Sequence, residues 1–393
     1  MLKRIQKALD EHQGVLKLDP ALVARDWLPP GRRLGLTEEQ YNVGERGFIC
    51  ERWLGSTTHA DNKIGPTDEG VSYIRTDEGD RLNLEEVIAA APDLIMGQDY
   101  SRGHTGLGRL AKIYDFGARI PYHIHPPSTE AALVGRNSKD EAYYFPPGVD
   151  MGAHPETFFG VHPYIVRTGN RDILLPYLEE WKDDAILKHA FAYQQVAEEG
   201  FFIDSGILHA PGTALTIELQ EDSDTLAMFQ ALNAGTIISK ELLYKDISDE
   251  DRKSLGERAP LRWVDWEANG DPEFYERRHI MPVPFKTTHG VDECWIFCGT
   301  EKFSGKRLRL APGASVTDVE KGVFNVLVWR GQGTIAGVPV QGMTLGEDEL
   351  LLTHAAATTP HEIRNTGDEE LFLLKFFGPD INDDAPAAGV RGA

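Results

Sequence analysis

Cysteine is scarce in this 393-residue chain, which contains only Cys50, Cys294 and Cys298. Three thiols are too few for a disulfide framework and suit a reducing compartment. No second Cys or His pair lies near Cys294 and Cys298 to complete a zinc site. The run Glu293-Cys294-Trp295-Ile296-Phe297-Cys298 therefore reads as a strand with buried thiols. Positive charge is also in deficit: 40 Lys and Arg stand against 62 Asp and Glu, a formal net charge of −22. Nucleic acid and anionic membranes both demand a basic face, so neither is expected as a partner. No apolar run approaches the roughly 20 residues that span a bilayer. The basic start Met1-Leu2-Lys3-Arg4 lacks the apolar core and small-residue cleavage site of a signal peptide. A cytoplasmic protein with a small-molecule partner is the expectation that survives these absences.

What the chain does have is β-strand rhythm. At 393 residues it exceeds what one hydrophobic core usually supports, so the expected fold is all-β, two barrels or sandwiches with a few accessory helices. Residues 1–45 join a short amphipathic helix (Leu2, Ile5, Leu9) to Leu28-Pro29-Pro30-Gly31 and read as a leader packed on the first domain. Over 46–235, β-rich runs alternate with turns. A helix over 84–91 ends before Pro92, and a second over 173–187 places Leu174, Leu175, Leu178 and Trp181 at three- and four-residue steps. Residues 236–285 are charged and helical, then Pro-rich, and serve as the connection. Strands resume over 286–380, punctuated by Pro312-Gly313 and Gly331-Gln332-Gly333, as a second barrel. Residues 381–393 are a tail expected to fray.

The chemistry concentrates in the first barrel. Strand residues two apart point to the same side, so His123 and His125 of Tyr122-His123-Ile124-His125-Pro126 aim both imidazoles at one point. Glu141 opens the apolar strand of Lys139-Asp140-Glu141-Ala142-Tyr143-Tyr144. His209 follows a strand and a Gly turn in Asp204-Ser205-Gly206-Ile207-Leu208-His209. Three nitrogens and one oxygen with space for water or substrate suit a catalytic divalent metal better than a closed structural site.

With these residues in view, the chain resembles the cupins, and within them the class I mannose-6-phosphate isomerases. The matching stretches are His123-Ile124-His125-Pro126 for the family's Gln-x-His-Pro, Lys139-Asp140-Glu141 for its Lys-x-Glu, and Gly206-Ile207-Leu208-His209-Ala210 for its Gly-Thr-x-His-Ala. The likeness also takes in Ala90-Ala91-Pro92-Asp93-Leu94 and Glu218-Leu219-Gln220-Glu221, and spans roughly residues 48 to 232. It implies two cupin (jelly-roll) barrels, with His123, His125, Glu141 and His209 as ligands of one divalent ion. Zn is expected, with Mn, Fe, Co and Ni as alternatives. Lys112 and Lys139 fall at the family's active-site lysines. Glu156, in His154-Pro155-Glu156, is a rival third ligand, whereas His154 and His162 read as loop or pocket-wall histidines. His123 stands where the family has Gln, Pro121 where it has Ser, and Met228 where it has an Arg, so two polar groups expected around a sugar phosphate are missing. The second barrel offers no His pair in Val316-Thr317-Asp318-Val319-Glu320-Lys321. His361 is therefore expected to lack partners, and this half to be metal-free, walling the cleft or a homodimer contact.

The resemblance implies a metal-dependent aldose–ketose isomerase, an intramolecular oxidoreductase acting through an enediolate on a carbohydrate, phosphorylated or not. Lys112, Lys139 and Glu218 are the expected catalytic groups, Glu221 being a further candidate for the base. The same ligands on the same fold also serve epimerases, lyases, dioxygenases and non-catalytic sugar-binding proteins, and these readings stay open at this stage.

Overall fold

Period-two alternation decides the layers. In strand Thr216–Glu221, Ile217 and Leu219 point to one face while Thr216, Glu218 and Gln220 point to the other. Strand Leu371–Phe377 does the same with Phe372, Leu374 and Phe376 against Leu371, Leu373 and Lys375. The Ile217 and Phe372 faces share one buried apolar cluster, to which Ala111, Ile113, Ala142, Trp295, Leu327 and Trp329 also contribute. Both strands therefore pack an apolar face against the other sheet, broken only by Glu221 at the end of the first, and carry charge on the opposite face.

In the computed structural model, which describes residues 1–387, four main sheets follow from this. A seven-stranded antiparallel sheet runs His279–Ile280, Gly200–Ile203, Glu141–Tyr144, Thr216–Glu221, Arg109–Tyr114, Phe48–Leu54, Ala21–Arg25. Its charged face is covered by a five-stranded sheet that includes His123–Ile124, Glu156–Phe159 and His209–Ala210. The C-terminal half repeats the scheme, with a nine-stranded sheet around Ser304–Leu310, Leu371–Phe377 and Phe324–Arg330 covered by a four-stranded one. The seven- and nine-stranded sheets lie back to back across the shared apolar cluster.

The leader contacts both halves. Strand Val15–Asp19 pairs with Glu349–Leu352 in the C-terminal half and, through Leu18 and Asp19, with Tyr73–Arg75, while Ala21–Arg25, just past Pro20, joins Phe48–Leu54. The helix expected over 84–91 spans Leu84–Ala90, capped by the Asn83 side chain, which accepts from the Glu86 N–H. The one expected over 173–187 is broken. A 3-10 turn Arg171–Leu174 leads into helix Leu175–Glu180, which stops where Trp181 turns left-handed (φ 45°) so that its indole N–H can donate to the Ile238 carbonyl. The expected frayed tail is anchored as far as it is described: Ile381 is buried and the Gly299 N–H donates to the Pro386 carbonyl. Residues 388–393 lie outside the described residues. Cys50, Cys294 and Cys298 are buried free thiols. No described helix is long and apolar enough to cross a membrane.

Candidate metal centre

Two short strands, His123–Ile124 and His209–Ala210, deliver the histidines. His209 pairs with His123 across their strands, and His125 follows two residues on, so all three rings enter the space between the two sheets of the first half. Their nitrogens lie within 4.8 Å of one another. Each Nδ1 faces a backbone carbonyl: His123 that of Pro121 at 2.7 Å, His125 that of Thr225 at 2.7 Å, His209 that of Ile207 at 2.9 Å. A carbonyl can only accept, so each Nδ1 carries a proton and each Nε2 faces inward. Burial, then the neighbouring imidazoles, holds His123 well below the ordinary histidine range. Burial and the Lys139 ammonium push His125 down to about 3.

Glu141, at the start of its strand, completes the set. Its Oε2 is 3.1 Å from His125 Nε2 and its Oε1 is 3.1 Å from His209 Nε2. Burial alone would raise its pKa, but Lys139 and the two imidazoles outweigh that and keep the carboxylate well below its usual range. The Nε2 atoms of His125 and His209 thus both face the Glu141 carboxylate, and the buried His209 Nε2 has no hydrogen-bond partner. Such a donor set calls for a cation and fits a divalent ion held by N, N, N and O. The carbonyls behind each Nδ1 fix the ring orientations such an ion would need. The Lys139 ammonium adjoins the set, 2.8 Å from Glu141 Oε2 and 3.1 Å from His125 Nε2.

A cavity of about 880 Å³ opens onto this centre. Lys112, Lys139 and Glu218 all line it together with His123, His125 and Glu141. Glu218 lies between the two ammoniums, 3.1 Å from Lys112 and 3.5 Å from Lys139. Burial and then the Glu141 charge lift its pKa to about 7 against the pull of both lysines. A carboxyl balanced near neutrality beside a cation centre can take and return a proton. Met228 lies beside His123 and lines the cavity.

Other expected residues are elsewhere. Glu156 is ion-paired to Arg119. Glu221 binds Lys302 and Ser138, each at 2.9 Å. His154 is exposed, and His162 stacks on Tyr164. Neither lines the cavity. Four residues that the sequence pattern did not single out also lie at the centre: Tyr143, whose hydroxyl donates to Glu141, and the buried trio Arg25, Glu51 and Asp224. Tyr143 was findable, because it follows Glu141 by two on one strand. Glu51 was signalled by a charge inside the apolar run Phe48-Ile49-Cys50-Glu51-Arg52-Trp53-Leu54.

Among the described residues His361 has no second histidine beside it, but it is not isolated. Its Nε2 lies 3.4 Å from Asp318, next to a second buried acidic group of Glu293, Asp318 and Glu320.

No protein-family model matches the sequence, and none of the curated proteins matches it either. Solved structures match in fold across nearly the whole chain. The mannose 6-phosphate isomerase from Bacillus subtilis is 15% identical with a TM-score of 0.64, covering 92% of this chain and 99% of its own. A zinc-bound mannose 6-phosphate isomerase is 11% identical with a TM-score of 0.62, covering 93% and 100%. A phosphomannose isomerase variant from Salmonella typhimurium gives 11%, 0.62, 93% and 100% in the same order. The likeness is one of fold.

Proposed function

We propose that this protein is a metal-dependent aldose–ketose isomerase acting on an unphosphorylated sugar or sugar derivative. The observation that carries the reading is the convergence of three imidazoles and Glu141 on one point beside Glu218, where His123, His125, Glu141 and Glu218 line one cavity. His123, His125, Glu141 and His209 would hold the ion, with Zn first in expectation because the donors are mostly imidazole. A bound divalent ion there supplies Lewis-acid stabilisation for negative charge developing on the sugar oxygens.

The chain's own groups do the rest. Glu218 takes the proton from one of the two carbons C1 and C2 and returns it to the other, which asks for a carboxyl near neutral pKa, and its value of about 7 meets that requirement. Lys112, held charged by Glu218 and Glu51 despite burial, fixes the Glu218 carboxylate and offers a donor to a substrate oxygen. Lys139 ties Glu218 to the ligand Glu141.

The cavity's charge argues against a phosphate. Arg25 is bound to Glu51 and Asp224, Lys112 to Glu218, Lys139 to Glu141, Lys245 to Asp61 and Arg46 to Glu69. A phosphate dianion would have to displace a carboxylate from any of these cations, whereas hydroxyls can bind to paired charges as they stand. Lys63, also on the cavity wall, is solvent-exposed. The test is NMR of metal-loaded protein with a panel of aldoses, ketoses and their phosphates in deuterated water. Interconversion with label entering at C2 is expected for an unphosphorylated sugar, and an unchanged panel sinks the proposal.

A further inference from the structure

The strand register exposes an equivalence between the halves that their sequences do not show. Lys112 sits opposite Glu218 on one flank and Trp53 on the other; Lys306 sits opposite Lys375 and Trp295 in the same way. Glu218 faces Tyr143, with Glu141 two residues before it; Lys375 faces Val326, with Phe324 two residues before it. His209 pairs with His123, and His361 pairs with Asp318. The second ligand of each pair is two residues on, His125 in one half and Glu320 in the other. Glu51 and Glu293 each precede the equivalent tryptophan by two. Even the ring orientation is kept, because His361 Nδ1 faces the carbonyl of Thr359 at 3.0 Å, two residues back, as His209 Nδ1 faces that of Ile207.

The metal ligands of the first half thus correspond to Asp318, Glu320, Phe324 and His361, while Lys375 takes the place of Glu218. Its Nζ lies 2.8 Å from Glu293 Oε1, from both oxygens of Asp318 and from Glu320 Oε1. All four residues are buried. Lys306 adds a second ammonium, 2.7 Å from Glu320 Oε2. One member of the set stays unanswered: the buried Nε2 of His361 points at the cluster, 3.4 Å from Asp318, without a hydrogen bond. Its side chain is 7% exposed.

We infer that the C-terminal half contains a second, latent divalent-metal site, occupied by the tethered ammonium of Lys375 in place of an ion. The charges fit this substitution. Three carboxylates against Lys306 alone leave an excess of negative charge, which either one divalent ion or the Lys375 ammonium offsets. Three carboxylates and one imidazole favour a hard cation that accepts oxygen, such as Mn(II), over the imidazole-rich preference of the first half. The arrangement explains why the chain would carry one catalytic ion rather than two.

The test removes the tether. Mn(II) bound per chain is counted by equilibrium dialysis and elemental analysis for the wild type, Lys375→Ala and the double variant Lys375→Ala with His361→Ala. Lys375→Ala is expected to hold one more Mn(II) than the wild type. Its Tm should rise by at least about 5 °C in 1 mM Mn(II), beyond any rise in the wild type. The double variant should bind that extra ion at least about tenfold more weakly, as loss of a direct ligand implies. Should Lys375→Ala fold poorly, it and Lys375→Ser are refolded with and without Mn(II), and recovery only with the ion supports the site. An unchanged ion count in folded Lys375→Ala, or no rescue of either variant by Mn(II), overturns it. A drop in the wild-type count on Asp318→Asn also overturns it, because the native site would then already hold an ion.

Discussion

Lys112 and Glu218 lie directly opposite one another on neighbouring antiparallel strands, with Nζ 3.1 Å from Oε1 and both side chains buried. Neither could be buried alone without neutralising, since an unpaired charge in the interior costs several kcal/mol. Together they hold a carboxylate that Glu141 repels and two ammoniums attract, and the balance falls near neutrality. The same cavity wall therefore sets both the geometry and the proton affinity of the proposed base.

Glu218→Gln keeps the shape and removes the base. Turnover should fall by about 10²–10⁴-fold, the range for losing a positioned acid–base group. Metal content should be unchanged. In the wild type, the active form is the carboxylate, so kcat/KM should rise with pH and reach half its plateau near the Glu218 value of about 7. Exchange of the C2 proton, followed by proton NMR in deuterated water, reads both effects. Exchange at the wild-type rate in the variant would remove Glu218 from the role.

The three imidazoles are aimed by backbone carbonyls, so the site is formed before the ion arrives. Dialysis against a chelator should then abolish activity while leaving the fold intact, and added Zn(II) should restore it. His209→Ala removes one nitrogen and should lower bound metal by at least about tenfold at limiting Zn(II), given the weight of even indirect ligand support. Elemental analysis per chain is the measurement. Full wild-type metal content in His209→Ala would exclude it as a ligand.

Because every buried cation around the cavity is already paired, a phosphorylated sugar should be the poorer substrate. Its kcat/KM should be at least about tenfold below that of the unphosphorylated form, a difference of about 1.4 kcal/mol. Competition by inorganic phosphate should be correspondingly weak. A phosphate ester turned over faster than its parent sugar would reverse the assignment of substrate class.

The residues of the centre were legible because chemistry on strands has a short period: His123 with His125 needs only alternation, and Glu141 and His209 follow at strand starts. Strand rhythm likewise announced sheets in both halves. What the sequence hid is register. Lys375 reads as a stray charge in an apolar strand, and His361 as isolated, until pairing places them opposite Lys306 and Asp318. The break at Trp181 was equally invisible, since its helical spacing is real and a tertiary partner, the Ile238 carbonyl, ends the helix. The leader's pairing was hidden for a similar reason. A turn at Pro20 sends two adjacent strands to different sheets, a choice fixed by edges that only exist once both halves fold.

That sharing of edges suggests the halves unfold together, and Arg52 is the place to test it. From the first half its guanidinium reaches Asp348 at 2.7 and 2.8 Å and Glu349 at 2.9 Å in the second, all fully buried. Arg52→Ala leaves two buried carboxylates without their cation and should cost about 3–5 kcal/mol. The cost should depend on pH in a definite direction. Burial already raises Glu349 to about 7 against the pull of Arg52, so its folded value exceeds its unfolded one and its contribution is lost as pH rises through about 7. Without Arg52 its value climbs further, so the variant should be closest to the wild type near pH 5 and furthest from it near pH 8, where the wild type keeps the paired charge. Denaturant unfolding at the two pH values, followed by fluorescence and by circular dichroism, measures this. A pH-independent penalty would show that the pair acts through packing rather than charge, and two separate transitions in the wild type would show that the halves unfold independently.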